Sequence, residues 1–385
     1  MKVISTLLFL FFGILNLQTE GQVKFNKTFG GTCEVEGTFV QQCHDSGYVI
    51  ASNNCYGAYI VRTDSSGDTL WTNTFTDTLS TGPFHYPALP KIYCIKETPD
   101  HGFIMTGGLD VNGYCRRIDS VGNKLWTNDQ PFPFPQNGTG FENILIQDTG
   151  GYIIAGYSDD IGPDNYAFYF GITDGGDTTY TYTYASGGGT IQDIKQTDDN
   201  GIILLRIDQG TDEYFFEKHG GTSGSWSHLI NYIPFCILPI GDSGYVCGAY
   251  WQVQPSVYKM GLVRSDTMGD SLWSKDLGFL PLDIIPVNLP GDSGYVMIVN
   301  IYSPTQTFDY LNPFCEVQNS DIRLVRTDLY GNILWDRTYG GSILDIASNL
   351  IHTYDDGYCM LGYTRSESGH SEIIFIKTDS LGNDH

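Results

Sequence analysis

The chain alternates short apolar runs with compact polar turns over nearly its whole length. The first unit has four such runs, at residues 38–42, 48–52, 58–63 and 70–75, with turns at 45–47 and 65–67. No window of a dozen residues keeps the 3.6-residue period of an amphipathic helix. The pattern predicts an all-β protein built from units of four antiparallel strands, in which glycine supplies the backbone angles of the hairpin turns.

Two motifs repeat along the sequence. A turn of the form Asp-x-Gly-aromatic, or a close variant, begins at Asp45, Asp100, Thr149, Asp199, Asp242, Asp292 and Asp355. A second motif, Asp-x-x-Gly-[Asp/Asn]-x-Leu-Trp, ends at Trp71, Trp126, Trp273 and Trp335, is shortened at 174–177, and is reduced to Trp226 in the fourth unit. Seven units about fifty residues apart predict a seven-bladed β-propeller, with each tryptophan as an apolar wedge between neighbouring blades.

The two ends of the chain complete one another. Residues 25–31 read Phe-Asn-Lys-Thr-Phe-Gly-Gly and match 335–341, Trp-Asp-Arg-Thr-Tyr-Gly-Gly, so that Phe25 stands in the tryptophan position. The seventh unit stops after Asn383, before a Leu-Trp strand of its own. We expect the N-terminal segment to supply the fourth strand of the last blade, which removes an exposed sheet edge.

The first 22 residues have the pattern of an export signal. Lys2 precedes an almost unbroken apolar run at 3–17, and polar residues resume at Gln18. The run is shorter than a membrane span needs. The first cysteine is Cys33, so a lipid anchor is not indicated. We interpret 1–22 as a signal peptide and 23–385 as the propeller, secreted and without an integral membrane segment; a buried N-terminal helix is the alternative.

Composition agrees with a folded, acidic protein. The 385 residues include 44 acidic and 20 basic side chains, a formal charge of −24, and 41% are hydrophobic, which gives ample surface for a core. A negative charge of this size repels phosphate backbones and anionic lipid. We therefore expect no nucleic-acid partner.

Nine cysteines in an exported chain indicate disulfides, with at least one thiol left unpaired. The sequence lacks Cys-x-x-Cys pairs, so metal ligation is the less favoured interpretation. Three pairs are candidates: Cys33 with Cys55, Cys236 with Cys247, and, more weakly, Cys94 with Cys115.

These repeats resemble a known family. Segments such as 335–341 and 355–362 look like the propeller repeats of secreted surface proteins of Bacteroidetes-type bacteria, which often end in a type IX secretion sorting domain. The resemblance covers 23–385 and implies an architecture and a location, but no reaction. We recognise no sorting domain in the sequence, so we expect either a fragment or another export route.

The second motif, as in 119–126, is also similar to the tryptophan-docking repeats of quinoprotein dehydrogenases and of an outer-membrane assembly propeller. Those enzymes typically have eight blades, a quinone, a calcium ion and a disulfide of adjacent cysteines. This chain has no Cys-Cys pair and one unit too few, so we expect no cofactor.

Catalytic motifs are not recognised in the sequence. It contains no Gly-x-Ser-x-Gly, His-Glu-x-x-His, Walker or Gly-x-Gly-x-x-Gly motif. The eight histidines show no ligand spacing, and the acidic pairs at 159–160, 198–199 and 355–356 are interpreted as turn caps. We predict neither a catalytic residue nor a metal site.

Propeller topology places both turn motifs on one rim of the disc, here called the turn rim. The connections from second to third strand and from blade to blade lie on the other, the loop rim, which receives the long insertions at 76–90, 132–141 and 302–320. The aromatic candidates for ligand binding there are Phe84, Tyr86, Phe134, Trp251, Phe308, Tyr310 and Phe314. Packing of these rings against their own loops is the alternative.

We interpret the chain as a noncatalytic binding or adhesion module that recognises a glycan or an extracellular protein through the loop rim. The alternatives are a polysaccharide-active or calcium-dependent hydrolase on the same rim, and a structural surface protein. Asp309 and Glu316 make a bound cation a secondary possibility.

Overall fold

The computed structural model describes most of the chain after the N-terminal segment. The described residues are 22–30, 33–81, 84–109, 112–128, 139–148, 150–158, 166–184, 189–208, 211–255, 257–289, 292–302, 320–341, 344–365 and 369–384. Strands and tight turns account for nearly all of them, with one short 3-10 helix at Gly241–Ser243.

The strands run in chain order as follows. They are β1 Phe25–Phe29, β2 Val35–Gln42, β3 Tyr48–Asn54, β4 Gly57–Thr63, β5 Thr69–Phe75, β6 Asp77–Thr81, β7 Phe84–Ala88, β8 Lys91–Glu97, β9 Phe103–Leu109, β10 Asn112–Ile118, β11 Lys124–Asn128, β12 Thr139–Ile146, β13 Tyr152–Ser158, β14 Tyr166–Ile172 and β15 Thr178–Thr183. They continue as β16 Gly189–Gln196, β17 Ile202–Asp208, β18 Glu213–His219, β19 Trp226–Ile230, β20 Ile233–Pro239, β21 Tyr245–Gln254, β22 Val257–Ser265, β23 Ser271–Asp276, β24 Asp283–Leu289, β25 Asp292–Tyr302, β26 Ser320–Asp328, β27 Ile333–Tyr339, β28 Asp345–His352, β29 Tyr358–Arg365 and β30 Ser371–Thr378.

These strands form seven four-stranded antiparallel sheets, so the predicted seven-bladed propeller is confirmed. Blades I to VI each contain four consecutive strands, beginning with β2, β8, β12, β16, β20 and β24, and blade VII contains β28, β29, β30 and β1. The first strands contact one another in cyclic order, from β2 through β8 and round to β28, which closes a ring about a central channel. The apolar core lies between adjacent blades; one cluster, for example, joins Val49 and Ile60 of blade I to Ile92 and Met105 of blade II.

The N-terminal strand closes the ring as expected. β1 pairs antiparallel with β30, in a register that runs from Phe25 opposite Lys377 to Phe29 opposite Ile373. The Phe25 side chain is 8% exposed, and its ring centroid lies 4.9 Å from that of Phe375. A methyl group on Gly67 of blade I would lie 2.9 Å from the Phe25 ring. Phe25 therefore fills the wedge position between blades VII and I.

Tryptophan wedges join the other blades in the same way. A methyl group on Gly122, in the third turn of blade II, would lie 3.3 Å from the Trp71 ring of blade I. The indole nitrogen of Trp126 donates to the carbonyl of Asp174 in the next blade at 3.0 Å. The glycine of the second motif is required because it has a positive φ, +88° at Gly122, and because the ring of the preceding blade lies directly over it.

The aspartate of the first motif does more than cap its turn. Asp45 accepts the Gly47 N–H at 3.0 Å, as the sequence predicts, and also pairs with the buried guanidinium of Arg62 on the third strand at 2.6 Å. Equivalent pairs are Arg117 with Asp100, Lys218 with Asp199, Arg326 with Asp292, and Lys377 with Asp355. The sequence signal for the cation, two residues before the aspartate of the second motif, was overlooked.

One of the three expected disulfides forms. Cys33 and Cys55 are bonded, with Cα atoms 6.0 Å apart, which ties the segment after β1 to the loop rim of blade I. The other four candidate cysteines are buried free thiols, and both of those pairings were wrong.

Strand register explains both errors. A bulge after Pro234 sets Cys236 opposite Gly248, so Cys236 and Cys247 fall in core clusters on opposite faces of blade V. Cys94 and Cys115 share a face but lie on either side of Thr106. Two strand spacings separate them, about 10 Å, which no disulfide spans.

Candidate functional site

A groove of about 650 Å³ lies between blades IV and V. It opens on the loop rim, where Asp212 directly precedes β18 and Asn231 and Tyr232 link the two blades. Trp251 and Gln252 lie near the end of β21 at the same rim. It then follows the outer strand β19 past His228 towards the turn at Gly269. Its volume falls in the range of small-molecule sites.

Long strands in blade V build one wall. β21 has ten residues and β22 nine, whereas the corresponding strands of blade I have seven each. The additional residues pair in register, Trp251 with Lys259 and Gln252 with Tyr258. The hairpin therefore holds Trp251 and Tyr258 at the rim on regular backbone rather than on a loop.

Five aromatic side chains line the groove: Tyr214, Tyr232, Tyr250, Trp251 and Tyr258. The Tyr250 and Tyr258 rings meet edge to face at 6.0 Å, and Trp251 is half-buried against the core cluster that joins blades IV and V. Tyr258 is more exposed, and the exposed side chain of Leu229 also lines the groove. The groove thus presents ring faces and edges to a ligand on a preformed scaffold.

Polar groups lie among the rings. Asp212, Glu213, Asn231 and Gln252 supply carboxylate and amide groups. Burial raises the pKa of Tyr214, and the negative charge of Asp212 raises it further. Burial also raises the pKa of Tyr250. These phenols consequently stay neutral hydroxyl donors and acceptors at physiological pH.

Of the seven predicted ligand-binding residues, the structure places Trp251 in this groove. Phe134, Phe308, Tyr310 and Phe314 lie outside the described residues. Phe84 and Tyr86 lie on β7, which pairs with β6 as a two-stranded hairpin, Phe84 opposite Thr81 and Tyr86 opposite Leu79. The 76–90 insertion is thus a hairpin rather than an irregular loop. Sequence reasoning missed four tyrosines of the groove, because aromatic residues suit a strand and its extension alike; they are Tyr214, Tyr232, Tyr250 and Tyr258.

The channel holds charges that the sequence analysis also missed. Carboxylate or amide oxygens on the inner strands accept hydrogen bonds from backbone N–H groups on the inner strand of another blade. Asp193 accepts from Ile237, Asp283 accepts from Leu350 and Asn349 accepts from Val40, each at 3.0 Å. Each acceptor directly precedes an aliphatic residue of its own strand. These bonds join the inner strands of neighbouring blades around the ring.

Two lysines lie on inner strands beside these acceptors. Lys195 Nζ lies 3.0 Å from Asp193 Oδ1, and Lys96 Nζ lies 4.3 Å from the centroid of the Phe39 ring. Burial lowers the pKa of Lys96. Burial alone would lower that of Lys195 too, but the charges of Asp193 and Asp283 raise it overall. Asp193 pairs with Lys195 and with backbone, and Asp283 accepts from the Asn349 amide and from backbone, so we assign the channel a structural role.

No described helix is long and apolar enough to cross a membrane. No protein-family model matches the chain, and no curated protein matches it.

Solved structures do match. A protein of unknown function from Bacteroides caccae is 13% identical, over 65% of this chain and 93% of its own, with a TM-score of 0.38. A chain in the structure of Drosophila Plexin A in complex with Semaphorin 1b is 8% identical, over 92% and 88%, with a TM-score of 0.50. An ancestral GH74 enzyme is 12% identical, over 90% of this chain and 47% of its own, with a TM-score of 0.50.

At these identities the similarity shows the propeller fold alone. The fold occurs in a protein complex and in an enzyme, so it admits a binding or an enzymatic module. Export as a type IX cargo stays a prediction.

Proposed function

We propose that the chain is a secreted, noncatalytic binding module that recognises a glycan in the groove between blades IV and V, at the loop rim. The observation that supports this proposal best is the set of four partly exposed aromatic residues around a preformed groove, Tyr214, Tyr250, Trp251 and Tyr258. Sugars present apolar faces that stack on such rings, and their hydroxyls pair with amides and carboxylates such as those of Asn231, Gln252 and Asp212.

The negative charge of the chain and of the groove restricts the class of glycan that can bind. The chain carries a formal charge of −24, and Asp212 and Glu213 add two carboxylates at the groove itself. An anionic polysaccharide is repelled by such a surface. We therefore favour a neutral or cationic glycan, and an extracellular protein is the alternative partner.

The arrangement of carboxylates favours binding over glycoside cleavage. Cleavage needs two carboxyl groups on opposite sides of the scissile bond. The carboxylates among the described lining residues, Asp212 and Glu213, are adjacent in the chain and come from the same blade. The enzymatic alternative, which the GH74 fold similarity keeps open, therefore needs residues beyond this groove.

The test is a glycan array followed by calorimetry with the best ligand. Tyr258→Ala removes an exposed ring of the groove, and Trp251→Phe shrinks a second ring while keeping an apolar side chain in the core. We expect each to weaken binding about fivefold, because stacking on one ring is worth about 1 kcal/mol. Tyr330→Ala, an equally aromatic but exposed residue on the turn rim, is the matched control.

Phe308, Tyr310 and Phe314 are tested together by replacement with Ala. Loss of binding in this triple variant alone would move the site to the 302–320 insertion. Affinity unchanged in all three groove and insertion variants would contradict a site on the loop rim. Turnover of any glycan by the wild-type chain would contradict the noncatalytic assignment.

A further inference from the structure

A cluster of two histidines and a glutamate lies on the turn rim, opposite the loop rim where the groove opens. His44 belongs to the first turn of blade I, His101 belongs to the first turn of blade II, and Glu97 ends β8. Their ligand atoms all lie within 4.8 Å of one another. The sequence analysis treated these histidines as scattered, and the fold brings two of them together.

Backbone contacts orient the glutamate between the rings. Glu97 Oε2 accepts the His44 N–H at 2.8 Å, and the Glu97 N–H donates to Gln41 Oε1 at 2.9 Å. Both bonds cross from blade I to blade II. They leave Glu97 Oε1 free to point at the imidazoles, with His44 Nδ1 at 2.6 Å and His101 Nδ1 at 3.7 Å.

A hydrogen bond to Glu97 explains the position of His44 but not that of His101. At 3.7 Å, His101 Nδ1 is beyond hydrogen-bond range of Oε1. Its ring nevertheless stacks on that of His44, with centroids 3.5 Å apart and planes 23° from parallel. His44 and His101 both turn Nδ1 towards Glu97 Oε1. Three atoms that can bind a metal ion therefore surround a common point.

The spacing suits a metal ion. Ligands bonded to zinc at about 2.0–2.1 Å lie about 3.3 Å from one another on a tetrahedron. The two measured separations, 2.6 and 3.7 Å, lie on either side of this value. The imidazole rings are 23° from parallel, so each has to turn until its nitrogen lone pair points at the ion. The His44 and His101 side chains are 49% and 52% exposed and have room to do so, whereas Glu97 is only 10% exposed and is held by its backbone contacts.

We propose that His44, Glu97 and His101 form a binding site for a divalent transition-metal ion, with Zn²⁺ the best match. Imidazole nitrogens suit zinc, copper and nickel, whereas calcium and magnesium require oxygen ligands. Three protein ligands leave a fourth position for water or a ligand. Because the donors come from two blades, the ion also clamps blade I to blade II.

The experiment uses the full chain without a histidine tag, stripped of metal by a chelator. Zn²⁺ is titrated in competition with a chromophoric chelator, and Co²⁺ binding is followed by its visible absorption. We expect one equivalent to bind and to raise the melting temperature. His44→Ala and His101→Ala should each lower the affinity about 100-fold or more, because loss of even an outer-shell partner costs 10–100-fold.

The matched control is His352→Ala. His352 is 37% exposed and lies 3.9 Å from Asp356 on the same rim. This pair offers two side chains that can bind a metal ion, whereas the cluster of His44, Glu97 and His101 offers three. We expect the His352→Ala variant to bind Zn²⁺ with the affinity of the wild type. The proposal is overturned if the wild type binds no Zn²⁺ at micromolar concentration, or if both His44→Ala and His101→Ala retain its affinity. Circular dichroism of the exposed-histidine variants separates loss of metal from loss of fold.

Discussion

Closure of the ring by Phe25 gives the sharpest stability prediction. The ring is 8% exposed and lies against Phe375 at 4.9 Å and Tyr48 at 6.0 Å, with Gly67 of blade I directly beneath it. Truncation of a buried phenylalanine to alanine costs about 3–5 kcal/mol, through lost burial and the cavity left behind. We expect Phe25→Ala to reduce the free energy of unfolding by this amount.

Chain length fixes the expected thermal shift. The entropy of unfolding is about 2.1 cal/mol/K per residue, so a loss of 4 kcal/mol over a propeller of this size lowers the melting temperature by about 5 °C. Thr28→Ala is the matched control, since Thr28 is an exposed residue of the same strand. Differential scanning calorimetry and light scattering measure both variants.

Deletion of residues 23–31 extends the same reasoning. It removes β1 and leaves β30 as an unpaired edge, so we expect oligomers as well as a lower melting temperature. The reasoning is refuted if Phe25→Ala melts within 1 °C of Thr28→Ala and the deletion variant stays monomeric.

Two further predictions follow from the turns and the disulfide. Burial alone would raise the pKa of Asp355, but hydrogen bonds from Lys377 and Thr353 hold it below its usual value. The pair of Asp355 and Lys377 therefore stabilises the fold above a pH of about 4, and this contribution is lost as the pH falls through the lowered pKa. Asp355→Ala should cost about 3 kcal/mol at pH 7, because Lys377 is left buried and unpaired. Asp356→Asn, which keeps a residue that tolerates the φ of +60° at this exposed neighbour, should cost little; equal urea midpoints for the two would contradict the assignment. Cys33 and Cys55 close a loop of 22 residues, so Cys33→Ala should cost about 3 kcal/mol, and mapping of unreduced peptides should show this bond and leave the other four candidate cysteines unlinked.

The sequence repeats predicted most of the architecture. Seven turns predicted seven blades, and the match between 25–31 and 335–341 predicted which blade is completed by the N-terminal strand. Both inferences succeed because they need only the period of the chain. The tryptophan and glycine of the second motif meet at a fixed offset, as Trp71 meets Gly122 and Trp126 meets Gly176 one repeat later.

Register and side-chain direction could not be obtained in this way. The bulge after Pro234 moves Cys236 by one residue relative to Cys247, and a shift of one residue exchanges the faces of a strand. The groove depends on a similar detail, since β21 and β22 continue beyond their counterparts in blade I. Neither the bulge nor the extension has a distinct residue pattern, because β-branched and aromatic residues suit both a strand and its continuation.

The metal cluster shows how the period itself can be used to find sites. His44 and His101 are far apart in sequence, but they occupy the first turns of two successive units, and such turns are neighbours on one rim of the disc. Spacing rules for metal ligands within a single helix or hairpin cannot detect this pair. In a propeller, ligand spacing has to be counted from the aspartate of the first motif in each unit. On that count His44 and His101 are two residues apart in corresponding turns, and Glu97 ends the strand that enters the second of these turns. Side chains that lie in corresponding turns of successive blades are therefore the first candidates for sites that join one blade to the next.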